Sequence, residues 1–141
     1  MNNPIVRMVA GIVAGALVAM AVIVGFESLN LLLHPLPPGI DLSDPAAMKA
    51  FAAAAPAGAL LVVLAGYVAG TFAGVFVAAK VSRSAIAGAV VALLLVAGGI
   101  VNMLTIPHPV WFWAASLVAY VVMAWAAIVA ARTRGVPLPA A

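Results

Sequence analysis

Three polar residues near the end of the first apolar stretch share one face of a predicted helix. Glu27, Asn30 and His34 fall at positions i, i+3 and i+7, and residues at this spacing lie on one side of an α-helix. A carboxylate, an amide and an imidazole can together hold a proton, a cation or a polar solute. This face is therefore one half of a candidate binding site.

The other half comes from residues that end a later apolar stretch. Glu27 follows Arg7 by about 30 Å of helix, and Asn102 follows Arg83 by about 28 Å. If both arginines lie at one membrane surface, Glu27 and Asn102 reach the same level near the opposite boundary. His108 follows Asn102 by six residues, just after the same apolar stretch ends. We therefore predict a ligand-binding site made of Glu27, Asn30, His34, Asn102 and His108.

Glu27 needs a partner in this setting, because an acid near the C-terminal end of a helix opposes the helix dipole. The candidates are Asn102, His34, His108, Lys49 and a bound cation. A hydrogen bond that only clasps the first span to the third is the structural alternative to a ligand site. A wet, interfacial position is the ordinary alternative for both histidines, since each neighbours a proline at a helix end.

Signatures of catalysis are absent and those of metal binding are weak. The chain has no cysteine, no GxSxG, phosphate-loop or dinucleotide motif, and no compact HxxxH pair. Ser28 directly follows Glu27 and so points to another helix face. We predict no cofactor and favour binding over catalysis. The enzymatic alternative acts on lipid or envelope precursors, with Glu27 or a histidine as base.

These residues belong to a chain with the composition of a membrane protein. Of its 141 residues, 68% are hydrophobic and only 6% are charged, which is too few charges to cover a water-soluble domain. Its basic residues are scattered at the ends of apolar segments, so the net charge of +3 does not indicate nucleic-acid binding. We predict a single integral membrane domain over residues 1–141, with the lipid bilayer as its main partner.

Four apolar stretches have the roughly 20 residues that a spanning helix needs. Prolines or basic residues end them, and proline cannot continue a helix. The sequence predicts an all-α, four-helix transmembrane bundle with spans at about 4–33, 57–79, 85–106 and 110–131.

The basic residues also predict the orientation of the bundle. Arg7 precedes the first span, Lys80 and Arg83 separate the second from the third, and Arg132 and Arg134 follow the fourth. These three sites share one side, which the positive-inside rule places in the cytoplasm. We predict a multi-pass protein of the bacterial inner membrane with both termini cytoplasmic.

The loop over residues 36–56 is the only sizeable segment outside the spans. Asp44 followed by Pro45 is typical of a helix N-cap and first helical position. The segment from Pro45 to Ala55 forms either a short helix on the outer surface or an extension of the second span with a kink at Pro56.

Small residues recur every four positions in the spans and allow helix backbones to approach closely. Such packing serves one bundle or, alternatively, a seam between subunits of a homo-oligomer or larger membrane complex. An assembly subunit is thus a further functional alternative. The predicted packing residues are Gly11, Gly15, Gly66, Gly70 and Gly74.

Two segments carry a resemblance to known sequences. They read E-x2-N-x3-HPLPPG-x-D from Glu27 and N-x4-PHP-x-W from Asn102. Both resemble segments of a group of small, uncharacterised four-helix bacterial inner-membrane proteins. The resemblance covers most of the chain and implies the architecture, but no activity. The predicted function is binding of a small cation, proton or polar solute in an outward-facing pocket, for transport or sensing.

Overall fold

The computed structural model describes residues 3–41 and 43–133, and over these ranges the chain forms five helices. Four of them are long and apolar enough to cross a membrane, which confirms the predicted fold class. Arg134 and the tail that follows it lie outside the described residues. The helices are α1 (Pro4–Leu33), α2 (Pro45–Ala53), α3 (Ala57–Ser82), α4 (Ala85–Thr105) and α5 (Val110–Thr133).

Local hydrogen bonds explain where the helices begin. The side chain of Asn3 accepts from the amides of Ile5 and Val6 at the start of α1, and Ser84 accepts from the amide of Ile86 at the start of α4. Between α3 and α4, Arg83 adopts a left-handed conformation with φ of 57°. This conformation ends α3 and lets Ser84 cap α4 at once, so the two helices are antiparallel neighbours.

The loop helix α2 is separate from the second span. It begins at the predicted cap, where Asp44 accepts from the amide of Ala46, and it ends at Ala53. Pro56 then serves as the N-cap of α3. None of the α2 residues is buried, and α2 makes no close backbone approach to any other described helix. It is therefore a loosely attached cover on one end of the bundle.

The core centres on α3, which packs against α1, α4 and α5. By contrast, α1 contacts α4 only sparsely and makes no close approach to α5 within the described ranges. One core cluster contains Tyr67, Phe112 and Tyr120, and a second lies further along α3 around Val75 and Ala78. The bundle is thus closed around α3 and open on the side where α1 faces α4.

Candidate functional site

The packing of α1 on α3 fixes the height of Glu27. A Cβ atom on Gly66 would lie 2.7 Å from Cβ of Phe26, and one on Gly70 would lie 2.7 Å from Cγ1 of Ile23. Glu27 is therefore level with residues near Gly66, about 13 Å along α3 from its first residue. This places the carboxylate about a third of the way down α3, below the helix ends.

The other predicted packing glycines, Gly11, Gly15 and Gly74, also lie between α1 and α3. A Cβ on Gly11 would lie 2.7 Å from Cβ of Ser82, and one on Gly15 would lie 2.5 Å from the carbonyl oxygen of Gly74. Such separations leave no room for any side chain. Gly15 and Gly74 thus face each other within one chain, and side chains of α1 cover Gly66 and Gly70 on α3.

Four of the five predicted site residues line one cavity of 360 Å³ beneath the loop helix, which we call the α2 cavity. Glu27 and Asn30 reach it from α1, and Asn102 and His108 reach it from the end of α4 and the turn that follows. Phe51 of α2 also lines it. The structure therefore brings together polar groups from two spans that are 75 residues apart at Glu27 and Asn102.

His34 lies beside the α2 cavity without lining it. Its Nδ1 donates a hydrogen bond to Oδ1 of Asn30 over 3.0 Å, and its ring faces a neighbouring cavity of 260 Å³ that Asn30 also lines. His108 Nδ1 donates to the carbonyl of Ile106 over 2.7 Å. Both imidazoles are thus held by neighbours close in sequence, and neither is bonded to Glu27.

Glu27 accepts no hydrogen bond from any other residue of the described ranges. Of the expected partners, His34 and His108 are hydrogen-bonded to Asn30 and Ile106, and Lys49 is exposed on α2. The carboxylate itself is exposed toward the cavities. A protein clasp therefore does not account for this acid, and its negative charge is left for a ligand or solvent.

A second cavity of 220 Å³ extends from Glu27 and Asn102 toward the centre of the bundle, and we call it the tyrosine cavity. Tyr67 of α3 and Tyr120 of α5 line it, with their rings stacked at a centroid distance of 5.4 Å. Glu27 and Asn102 border both cavities, so they stand where the two adjoin.

The sequence pattern gave no indication that Tyr67 and Tyr120 line a cavity with Glu27. Their rings are buried, yet neither hydroxyl has a hydrogen-bond partner among the described residues. The signal that would have found Tyr67 is the register of α1 on α3, because it sets Tyr67 level with Glu27. That register depends on which residues of α1 meet the glycines of α3, and it cannot be predicted from a single sequence.

Two further hydroxyls lie in the core within one helical turn of these tyrosines. Thr71 follows Tyr67 by four residues and Ser116 precedes Tyr120 by four. Both side chains are fully buried, and neither hydroxyl has a hydrogen-bond partner within residues 3–41 and 43–133. Two buried hydroxyls therefore lie one turn along α3 and α5 from the tyrosines of this cavity.

The donor set does not favour a divalent metal. No group of three His, Asp or Glu side chains converges within residues 3–41 and 43–133. Divalent cations usually take several oxygen or nitrogen ligands from the protein. One carboxylate beside side-chain amides and aromatic rings is instead suited to a single positive charge.

Charge is divided between the two ends of the bundle. Arg7, Lys80, Arg83 and Arg132 lie at the end away from α2, where Nε of Arg7 donates to the carbonyl of Ser82 over 3.0 Å. The α2 end holds Asp41, whose carboxylate accepts from the hydroxyl and the amide of Ser43. These bonds hold the pKa of Asp41 below its ordinary value of 3.8.

No protein-family model, curated protein or solved structure matches this chain. The class that the fold defines is a multi-pass helical membrane protein, by the length and apolar character of four helices.

Proposed function

We propose that this protein binds a small monovalent cation at Glu27, in a pocket that faces outward from a bacterial inner membrane, as a step in transport or sensing. One observation supports this above all. The Glu27 carboxylate borders two adjoining cavities, and no described residue donates a hydrogen bond to it. A charge within an apolar span is costly, and such residues commonly mark ligand or ion pathways.

The surroundings of Glu27 suit a cation in two ways. Asn30 and Asn102 line the α2 cavity with side-chain amides, and Tyr67 and Tyr120 line the tyrosine cavity with aromatic rings. Amide oxygens and ring faces both attract positive charge. Among the described residues no lysine or arginine lines either cavity, so an anion would find no permanently charged partner there.

The orientation in this proposal follows from the basic residues. Arg7, Lys80, Arg83 and Arg132 lie at the end away from α2, and Lys49 alone lies at the α2 end of the described chain. The positive-inside rule then puts the α2 end, with its cavity, on the extracytoplasmic side. Both termini lie in the cytoplasm in this arrangement.

The test measures thermal unfolding of purified protein in detergent at increasing concentrations of sodium, potassium and methylammonium chloride. Binding to the folded state raises the free energy of unfolding by about 2.7 kcal/mol at a ligand concentration 100 times Kd. We expect at least one of these cations to stabilise the wild type, beyond choline chloride at equal ionic strength. Glu27→Gln should abolish that increment.

Asp44→Asn is the matched control, because it removes one acid at the α2 end outside both cavities. It should retain the full response. Cation-independent unfolding of the wild type, or an equal response in Glu27→Gln, would contradict the proposal.

A further inference from the structure

The tyrosine cavity has a shape and lining that a small inorganic cation does not require. Beyond Glu27, Asn102 and the two tyrosines, its walls are hydrocarbon from α1 and α4, including Met20, Ile23 and Leu95. A hydrated ion gains nothing from such walls, whereas an apolar ligand group does. One charged group at the mouth of an apolar cavity matches a ligand with one charged end and one apolar end.

The cavity opens sideways between α1 and α4. At its rim, Met20 is 53% exposed and Leu94 is 56% exposed, and these two helices pack only sparsely against each other. The outer surfaces of both helices are apolar, as Leu17 on α1 and Leu93 on α4 illustrate. An apolar chain can therefore reach the cavity along a surface that faces lipid.

Two adjacent glycines on α4 have opposite surroundings. A Cβ on Gly99 would lie 2.6 Å from the hydroxyl of Tyr120, so this glycine is required for packing. A Cβ on Gly98 would meet no heavy atom within 4 Å, although Gly98 lines the tyrosine cavity. Gly98 is exposed and the space beside it is open, so we expect a larger residue there to narrow the cavity without displacing protein atoms.

We infer that the ligand is an amphiphilic amine. Its ammonium group binds Glu27, its hydrocarbon chain lies in the tyrosine cavity, and the space at Gly98 sets the size of chain that fits. The stacked rings of Tyr67 and Tyr120 add a cation-attracting surface near the ammonium. This inference rests on the proposed cation site and names its ligand class.

The experiment compares methylammonium with octylammonium by isothermal titration in detergent below the unfolding temperature. The wild type should bind octylammonium at least tenfold more tightly, since each buried methylene contributes about 0.8 kcal/mol, or roughly fourfold. Gly98→Leu should weaken octylammonium binding at least tenfold and change methylammonium binding less than threefold. Gly98→Ala, with a smaller side chain, should give a smaller loss.

Gly25→Leu is the matched control. Gly25 also has no heavy atom within 4 Å of an added Cβ, but it lines none of the three cavities. Gly25→Leu adds the same group outside the cavities, so its affinity for octylammonium should equal that of the wild type. Partitioning of octylammonium into micelles is common to all variants and does not affect this comparison. Glu27→Gln should lose both ligands.

The outcomes separate the two proposals. Equal affinities for both amines in the wild type, or equal effects of Gly98→Leu and Gly25→Leu, would overturn the amphiphile inference and leave the small-cation site intact. Loss of methylammonium binding in Gly98→Leu, with Gly98→Ala unchanged, would also overturn it, because the space would then serve the charged end. No stabilisation by any cation would overturn both.

Discussion

The first helix meets its two neighbours in opposite ways. Against α3 it packs backbone to backbone, and Gly15 lies so close to Gly74 that an added Cβ would be 2.5 Å from a carbonyl oxygen. Against α4 it packs sparsely, and Glu27 and Met20 border an open cavity. Small residues thus bring one pair of helices together, whereas on the other side Gly98 leaves space unfilled. One contact packs two backbones together, and the other leaves an open cavity.

The largest effect should come from breaking the tight contact. Gly15→Leu places a side chain against the backbone of α3, which cannot yield as a flexible side chain would. We expect the free energy of unfolding to fall by about 3 kcal/mol or more. Denaturation in mixed micelles measures this change. Gly25→Leu on the same helix should be within about 0.5 kcal/mol of the wild type, and equal losses in both variants would refute the comparison.

On the open side, a substitution should stabilise the bundle. Because no described residue donates a hydrogen bond to Glu27, Glu27→Leu removes a charge from an apolar span without breaking a hydrogen bond seen there. We expect the free energy of unfolding in the same assay, without added cation, to rise by about 1 kcal/mol. A fall of similar size would instead mean that Glu27 clasps the helices.

The cover over the α2 cavity should respond locally. Asp44→Ala removes the acceptor for the Ala46 amide, and loss of such a cap costs a helix about 1 kcal/mol. Amide hydrogen exchange should speed up in α2 and stay unchanged in α3, because α2 makes no close backbone approach to it. Faster exchange at both helices would show that α2 is coupled to the bundle.

The smallest effect concerns the turn that leads into α2. The folded-state pKa of Asp41 is depressed, so the turn's stabilisation is present above the ordinary value of 3.8 and is lost as the pH falls through the folded value. Ser43→Ala removes the hydroxyl donor and should raise the pKa of Asp41 toward 3.8. A carboxyl-carbon NMR titration measures this shift, and an unchanged midpoint would exclude the Ser43 hydroxyl as its cause.

The fold class was predictable because each span is marked by its own residues. Apolar length gave the four helices, and the pair Asp44 and Pro45 gave the start of α2. Whether α2 ran into the second span was left open, since proline at position 56 fits either a kink or a helix start. The structure decides it through the extended backbone of Pro56, whose ψ is 152°.

The candidate site was predictable in part, because spacing along a single helix determines which residues share a face and a level. Spacing placed Glu27 and Asn30 on one face, and counting from Arg7 and Arg83 placed Glu27 level with Asn102. Whether this set binds a ligand stays a prediction. The tyrosine cavity was not foreseen, because it depends on how far α1 and α4 stand apart. The distance between two helices depends on how their side chains pack together with those of a third helix. It therefore cannot be predicted from the sequence of any one segment.

The small residues that recur every four positions along α1 and α3 restrict how these two helices can slide past each other. The carbonyl of Gly74 sits against Gly15, and Ser82 sits against Gly11 one turn away. Sliding α1 by a fraction of a turn would drive side chains into backbone, so axial travel is permitted only in jumps of about 6 Å. If the proposed cation binds, the small movements that admit or release it are therefore expected in α4 and α2, with α1 and α3 acting as a fixed frame.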